Sequence, residues 1–138
     1  MFADLVKGFQ HLGLPVTDLA RSQTFYESLG FRPVFGTTLR LDGKEIPMVM
    51  LDLKGFILEL YQLPAPDLEE IRARRDGHID HLALDVADIE RAWEAALAAG
   101  LQPLEDAPVF LPFWEKGCKY FTVRGPDGEK VEFNQILS

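Results

Sequence analysis

The chain has 138 residues, a length that fits one compact domain, and its formal net charge at pH 7 is −8. This acidic balance disfavours nucleic acid and anionic membranes as partners, because phosphate binding requires an excess of Lys and Arg. Cys118 is the only cysteine, which excludes an intrachain disulfide and a thiolate metal centre. Segment 1–10 has no secretory signal pattern and no apolar run approaches the roughly 18 residues of a membrane span. We therefore expect a cytoplasmic protein that acts on a small molecule.

The chain contains an internal repeat. At an offset of 70 residues, segment 11–34 aligns on segment 81–104 without a gap and is identical at eight of 24 positions. At an offset of 73 residues, the segments GFILELYQ and GEKVEFNQ share their Gly, Glu and Gln. Two matches in the same order indicate two copies of one unit, about 55 residues each. Within a single domain, 1–138, we predict a first module at 9–63, a linker at 64–77 and a second module at 78–138.

Each copy predicts a βαβββ unit. The predicted elements of the first are a strand at 11–16, a helix capped by Asp18 and ended by Gly30, and strands at 37–41, 47–51 and 56–62, with an Asp42-Gly43 hairpin turn. The second repeats the strand at 81–86 and a helix capped by Asp88 and ended by Gly100, followed by an unclear edge at 103–112 and strands at 119–124 and 129–136. Segment 67–75 of the linker predicts a short helix. The pattern as a whole predicts an α+β fold.

Four residues that can bind a metal occupy repeat-equivalent positions: His11, Glu59, His81 and Glu132. Each His opens the first strand of its unit, and each Glu lies on the last strand, opposite the apolar face. A carboxylate in mid-strand is costly unless it is paired, metal-bound or solvated. Two imidazoles and two carboxylates suit Zn, Ni, Co, Mn or Fe, and the small residues Gly13 and Ala83 leave room for a ligand. We expect His78 not to be a ligand and Asp80 to be a loop carboxylate.

The paired units, the openings FQHLGLPVTDLARSQTFYESLGF and HIDHLALDV, and the endings FILELYQ and RGPDGEKVEFNQ resemble the vicinal oxygen chelate superfamily, which has the glyoxalase/bleomycin-resistance/dioxygenase fold. The resemblance covers essentially the whole chain. It implies two tandem βαβββ modules that form a curved, barrel-like mixed sheet around a metal-binding cup. It also implies a homodimer.

The complete His–Glu–His–Glu set resembles that of glyoxalase I, lactoylglutathione lyase. This resemblance implies one divalent ion, nickel or zinc before cobalt, manganese or iron, with His11, Glu59, His81 and Glu132 as its ligands. It implies a lyase or isomerase reaction on a hemithioacetal-type substrate with adjacent oxygens, through a metal-stabilised enediolate. Glu132 is then the catalytic base and Glu59 its pseudo-symmetric partner.

Two positions depart from the glyoxalase I pattern. The arginine and asparagine that hold the glutathione carboxylate in that family correspond to Pro15 and Leu63 here. The glutathione contacts therefore do not carry over, and a different thiol or none remains open. Other members of the superfamily stay as alternatives: an epimerase, a thiol transferase, a ring-cleaving dioxygenase or a non-catalytic drug-binding resistance protein. The epimerase alternative is weakened because its relatives usually have a glutamine where Glu59 stands.

Segment 110–120, FLPFWEKGCKY, is the predicted substrate wall. Its candidate contacts are two aromatic residues that cover a ligand, two lysines that neutralise an anion and a nearby arginine: Phe113, Trp114, Lys116, Lys119 and Arg124. The alternative is a surface loop whose aromatic side chains pack on the core or on a dimer partner.

Overall fold

The computed structural model of the chain describes residues 2–5, 7, 11–76, 79 and 81–138. It divides into two compact units, Met1–Ala73 and Arg74–Ser138. Each unit has one four-stranded mixed sheet and its own helices, so the predicted α+β fold of two βαβββ modules is confirmed. Within the described ranges, no helix is long and apolar enough to cross a membrane.

The first unit contains, in chain order, α1 (Phe2–Leu5), β1 (Leu12–Pro15), α2 (Leu19–Ser28), β2 (Arg32–Leu41), β3 (Lys44–Leu53), β4 (Phe56–Tyr61) and α3 (Asp67–Ala73). Its sheet has the order β1-β4-β3-β2. β1 and β4 are parallel, and the other pairs are antiparallel. Helix α3 confirms the helix predicted in the linker, and the predicted Asp42-Gly43 turn joins β2 to β3 with φ values of 51° and 73°.

The β2–β3 hairpin is longer than predicted, so the predicted bounds 37–41 and 47–51 are wrong. Every residue of β2 is exposed, and the strand therefore lacks the alternation of apolar and polar residues that marks a half-buried strand. Pairing with β3 extends it through Pro33, which an edge strand tolerates because one side of the strand needs no N–H donor. The register shifts between Pro33 and Phe35.

The second unit contains β5 (Leu82–Asp85), α4 (Ile89–Ala98), β6 (Val109–Leu111), β7 (Cys118–Arg124) and β8 (Lys130–Ile136). Its sheet order, β5-β8-β7-β6, repeats that of the first unit, again with one parallel pair, β5 and β8. The short strand β6 lies where the sequence left the edge unclear. The internal repeat of the sequence therefore corresponds to two units with the same strand order.

Matching side chains fix both helices at the same points. Asp18 caps α2 by accepting a hydrogen bond from the Arg21 N–H at 3.0 Å, and Asp88 caps α4 by accepting from the Arg91 N–H at 3.1 Å. The shared glutamine of the repeat has the same role in each copy. Gln62 Oε1 accepts from the first N–H of α2 and Gln135 Oε1 from the first N–H of α4, both at 2.9 Å. Each glutamine thereby links the end of the last strand of its unit to the start of the helix by a hydrogen bond.

One face of each sheet forms the core under the helix. Leu14, Leu58 and Leu60 of the first unit are at most 2 % exposed, as is Val131 of the second. Helix α4 buries only a narrow face around Ile89 and Ala96, and its Leu97 is 51 % exposed. The opposite sheet faces carry the candidate metal ligands.

Candidate metal centre and substrate pocket

In the first unit, β1 and β4 bring an imidazole and a carboxylate together. Gly13 and Glu59 are register partners of the parallel pair, and His11 directly precedes β1. His11 Nε2 lies 3.0 Å from Glu59 Oε2. The side chains are 32 % and 21 % exposed, so both can be reached from solvent.

The second unit repeats this arrangement on β5 and β8. Ala83 and Glu132 are register partners, and His81 Nε2 lies 3.4 Å from Glu132 Oε2. Glu132 is only 13 % exposed. Its other oxygen, Oε1, accepts a hydrogen bond from Asn134 Nδ2 at 2.7 Å. The carboxylate is therefore held at both oxygens.

Asn134 has a defined orientation in this contact. A carboxylate only accepts hydrogen bonds, so the amide must present its NH₂ group to Glu132 and direct its carbonyl away. Asn134 Oδ1 is buried and has no hydrogen-bond partner among the described residues. Since a buried acceptor without a partner is costly, a ligand with an N–H or O–H group would stabilise this position.

The spacing of each pair fits two ligands of one divalent ion. Donors that each lie about 2.1 Å from an ion are about 3.0 Å apart at a right angle and about 3.4 Å apart at the tetrahedral angle. The two pairs measure 3.0 Å and 3.4 Å. Among the residues that the structure describes, no three or more His, Cys, Asp or Glu side chains form a metal-binding group. Each unit by itself thus brings together one His and one Glu of the four residues predicted from the sequence.

A cavity of about 560 Å³ opens beside the His81–Glu132 pair. Its apolar wall consists of Leu104, Leu111, Phe113 and Trp114. Trp114 is 71 % exposed and has a φ of 66°, an uncommon conformation for a bulky residue. Gly117 ends the loop with a φ of 88°, and a Cβ there would collide with the ring of Phe110. The loop thus has positive φ values at Trp114 and Gly117, and the side chains of Phe113 and Trp114 line the cavity.

The predicted substrate residues do not all meet at this cavity. Phe113 and Trp114 line it, whereas Lys116, Lys119 and Arg124 are not among the described residues around it. Lys119 Nζ lies 3.0 Å from Glu90 Oε1, and Arg124 Nη1 donates to Asp76 Oδ1 at 2.6 Å and to the Gly128 carbonyl at 2.7 Å. The residues His78 and Asp80, for which the sequence predicted no metal role, lie outside the described residues.

The sequence places Lys130 and Asn134 on the sheet face of Glu132 but gives them no role in the site, and both line the cavity. On β7, Tyr120 is the register partner of Asn134 and Thr122 that of Glu132, and both also line the cavity. The period-2 spacing of positions 130, 132 and 134 was the available signal. Glu105 also lines the cavity, and its Oε2 accepts from the Thr122 N–H at 2.7 Å. That contact depends on a loop that no pattern in the sequence predicts.

Comparison with known proteins supports the fold over nearly the full length. The Bacillus subtilis protein YwbC is 28 % identical over 137 residues, which cover 95 % of this chain and 99 % of that protein. A glyoxalase family protein from Enterococcus faecalis is 19 % identical with a TM-score of 0.73, covering 94 % of this chain and 98 % of the other. A virulence protein from Salmonella typhimurium is 22 % identical with a TM-score of 0.68, covering 96 % and 98 %. At these identities, the two structures support the fold alone.

The family model gives the more specific result. Residues 8–133 match the model of the Glyoxalase/Bleomycin resistance protein/Dioxygenase superfamily. That span contains the first βαβββ unit, the second as far as Phe133 in β8, and all four residues of the two His–Glu pairs. The chain therefore belongs to the Glyoxalase/Bleomycin resistance protein/Dioxygenase superfamily.

Proposed function

We propose that the protein is a divalent-metal-dependent lyase or isomerase of the glyoxalase I kind, acting on a small substrate with two adjacent oxygens. The observation that carries this proposal is the pair of repeat-equivalent His–Glu contacts, at 3.0 Å and 3.4 Å. Bleomycin-resistance binding modules of the superfamily do not need such donors. Their presence in both copies of the repeat favours an enzyme.

Four residues would hold the ion in this proposal: His11, Glu59, His81 and Glu132. Nickel or zinc is the expected metal, with cobalt, manganese or iron as alternatives. The bound ion supplies a Lewis acid that draws negative charge onto the adjacent oxygens of the substrate.

Glu132 is the proposed base. Its Oε1 is fixed by Asn134 at 2.7 Å, which leaves Oε2 on the side of His81. We propose that Glu132 is a ligand that can partly detach, so that Oε2 takes a proton from the carbon next to the substrate carbonyl and returns it to the neighbouring carbon. Glu59 has the equivalent place in the first unit, where the residue in the position of Asn134 is Tyr61. The amide contact therefore distinguishes Glu132 from Glu59.

The cavity of the second unit would hold the rest of the substrate. Phe113 and Trp114 provide exposed aromatic surface, 57 % and 71 % of each residue, that an apolar group can cover. Pro15 and Leu63 stand where glyoxalase I binds the glutathione carboxylate. We propose that the substrate is a hemithioacetal of another thiol, or a compound without a thiol.

A turnover assay tests this function. Protein reloaded with nickel or zinc is given hemithioacetals of methylglyoxal made with glutathione, with cysteine and with small neutral thiols. The proposal predicts conversion of at least one of them to a thioester, loss of turnover after EDTA, and recovery when the metal is returned. Ligand binding that persists after EDTA, with no turnover under any metal, would instead favour the drug-binding alternative.

We also propose a homodimer, as the sequence resemblance implies. Three apolar side chains of the edge strand β2 support it, since Val34, Phe35 and Leu41 are 57 %, 58 % and 56 % exposed. Sedimentation equilibrium at micromolar concentration should give twice the chain mass, and Phe35→Glu should shift the population toward the monomer. A wild-type monomer at tens of micromolar would contradict the proposal.

A further inference from the structure

The carboxylate of Glu105 lines the cavity of the second unit. Its Oε2 accepts a hydrogen bond from the Thr122 N–H at 2.7 Å, in a part-buried position. Across the residues that the structure describes, no Lys, Arg or His side chain forms an ion pair with Glu105. A part-buried carboxylate is costly unless its charge is paired or solvated. A positively charged group in the cavity would therefore be stabilised by Glu105.

The hydrogen bond to the Thr122 backbone does not require a charge at position 105. The Leu104 N–H donates to the Thr122 carbonyl at 2.8 Å, so Glu105 Oε2 takes the place that the carbonyl of a neighbouring strand would have. A neutral glutamine could accept the same hydrogen bond. In the first unit, the residue that follows the aligned repeat segment is Phe35. The negative charge at position 105 is thus specific to the second unit.

The other charged side chains of the described lining have neighbours of opposite charge or bind the ion in the proposed function. Lys130 Nζ lies 3.7 Å from Asp76 Oδ2. Glu132 Oε2 lies 3.4 Å from His81 Nε2, and this pair would hold a divalent cation. Within the part of the chain that the structure describes, the charge of Glu105 has no such compensation.

Three aromatic side chains of the described lining belong to the same cavity: Phe113, Trp114 and Tyr120. Phe113 and Trp114 are largely exposed, so both present aromatic surface that a ligand can contact. The face of an aromatic ring attracts a cation within about 6 Å of its centre, and the attraction is strongest for tryptophan. A carboxylate combined with exposed aromatic faces favours an ammonium group over a neutral polar group.

The position of Glu105 sets the distance between the ammonium group and the metal-binding pair. Thr122 is the register partner of Glu132 on neighbouring strands, which lie about 4.8 Å apart. Glu105 binds the Thr122 backbone on the side away from β8, because the Leu104 N–H binds the same residue there. Its carboxylate therefore lies about 8 Å from the axis of β8. A spacer about as long as a benzene ring matches this distance.

We propose that this cavity selects substrates that carry an ammonium group about 8 Å from their adjacent oxygens, bound by Glu105 beside the aromatic wall. The inference rests on the proposed function, because the His81–Glu132 pair must hold the adjacent oxygens for this distance to matter. It adds a substrate class, amines with an apolar spacer, and a specificity-determining residue, Glu105.

Calorimetric titration of nickel-loaded protein, freed of excess metal, tests the inference without any turnover. Hydroxamates have two adjacent oxygens, so the probes are benzohydroxamate and its 4-aminomethyl and 4-hydroxymethyl derivatives. The last two have nearly the same shape, but only the aminomethyl group is positively charged at pH 7. We expect the wild type to bind the 4-aminomethyl probe about tenfold more tightly than the 4-hydroxymethyl probe.

Three variants identify the groups that bind the amine. Glu105→Gln keeps an acceptor for the Thr122 N–H but removes the charge, so it should bind the two derivatives equally. Trp114→Leu removes an aromatic face and should reduce the preference about threefold. The matched control is Asp106→Asn, which removes a charge at the next residue, exposed and outside the described lining, and should keep the wild-type preference. Circular dichroism confirms that each variant is folded before titration.

The outcomes separate the two proposals. If all three hydroxamates bind the nickel-loaded wild type with equal affinity, the inference about Glu105 is overturned while the metal site stands. A preference that survives Glu105→Gln, or one that Asp106→Asn also abolishes, overturns it as well. An unchanged preference in Trp114→Leu would overturn the contribution of the aromatic wall. If no hydroxamate binds the loaded protein, the metal-dependent function fails and the inference fails with it.

Discussion

The two units place the same His–Glu pair in different surroundings. In the first unit, Glu59 lies between Ile57 and Tyr61 on β4 and faces Met50 on β3. In the second, Glu132 lies between Lys130 and Asn134 on β8, and its partner on β7 is Thr122. The two copies of the repeat therefore have the same His–Glu pair, whereas a lysine and an asparagine flank the carboxylate only in the second. We propose that the first copy contributes metal ligands and that the second also contacts the substrate.

The largest expected effect is a loss of nickel affinity, and it should be the same for a change in either unit. If both pairs hold the ion, His11→Ala and His81→Ala should each lower nickel affinity by about 100-fold or more, because each removes a direct ligand. Competition with a chromophoric chelator measures this loss. Glu94→Gln, a change at an exposed residue of α4, is the control and should keep wild-type affinity. Wild-type affinity in His11→Ala would show that the second unit binds metal without the first.

The next prediction distinguishes the two units by how much kcat falls when the glutamate of each unit is replaced. Glutamine keeps a carbonyl oxygen but cannot accept the substrate proton, so Glu132→Gln should lower kcat by about 1,000-fold at saturating metal, within the range for proton transfer. Glu59→Gln should weaken nickel binding but, once the metal is saturating, lower kcat by less than about tenfold, because the proposed base is still present. Steady-state kinetics on whichever hemithioacetal the wild type converts gives both numbers. A larger loss of kcat in Glu59→Gln than in Glu132→Gln would indicate that Glu59 is the base.

Asn134 should affect turnover more than binding. Asn134→Ala removes the 2.7 Å hydrogen bond to Glu132 Oε1, a contact to a charged group worth about 1.5–3 kcal/mol. We expect kcat to fall at least tenfold with little change in KM. The matched change in the first unit is Tyr61→Phe, for which we expect less than about a twofold effect. Equal effects at the two positions would remove the distinction between the units.

The smallest expected effect is a loss of stability, and it should again be similar in the two units. Gln62→Ala and Gln135→Ala each remove a 2.9 Å hydrogen bond to the first N–H of a helix, and each should lower the free energy of unfolding by about 1 kcal/mol. Gln23→Ala is the control, because Gln23 Nε2 donates to Glu27 Oε1 in an exposed contact within α2. Denaturant unfolding measures all three. A large difference between Gln62→Ala and Gln135→Ala would show that the two units differ in stability as well as in chemistry.

The repeat made most of the architecture predictable. Helix caps and glycine stops are local signals, and Asp18, Gly30, Asp88 and Gly100 act as their residue types predict. The repeat also identified Gln62 and Gln135 as equivalent, and the structure gives the reason for the match. The extent of β2 could not be predicted, because an exposed strand has no buried face to impose alternation.

The candidate site was predictable in its donors and in two aromatic residues of the cavity wall, Phe113 and Trp114, but not in its polar lining. His11, Glu59, His81 and Glu132 stand out because the repeat duplicates them. Lys130 and Asn134 occur once, so no comparison within the chain could identify them. The facing residues Tyr120 and Thr122 depend on the register between β7 and β8, which the turn at 125–128 sets.

Metal content per chain tests the central claim most directly. Elemental mass spectrometry is applied to protein purified without chelator and then reloaded with nickel, zinc, manganese or iron. We predict one tightly bound ion for each set of four donors in the wild type, and loss of that ion in both His11→Ala and His81→Ala. A wild-type protein that binds no metal under any loading would contradict the account, as would full metal retention in both variants.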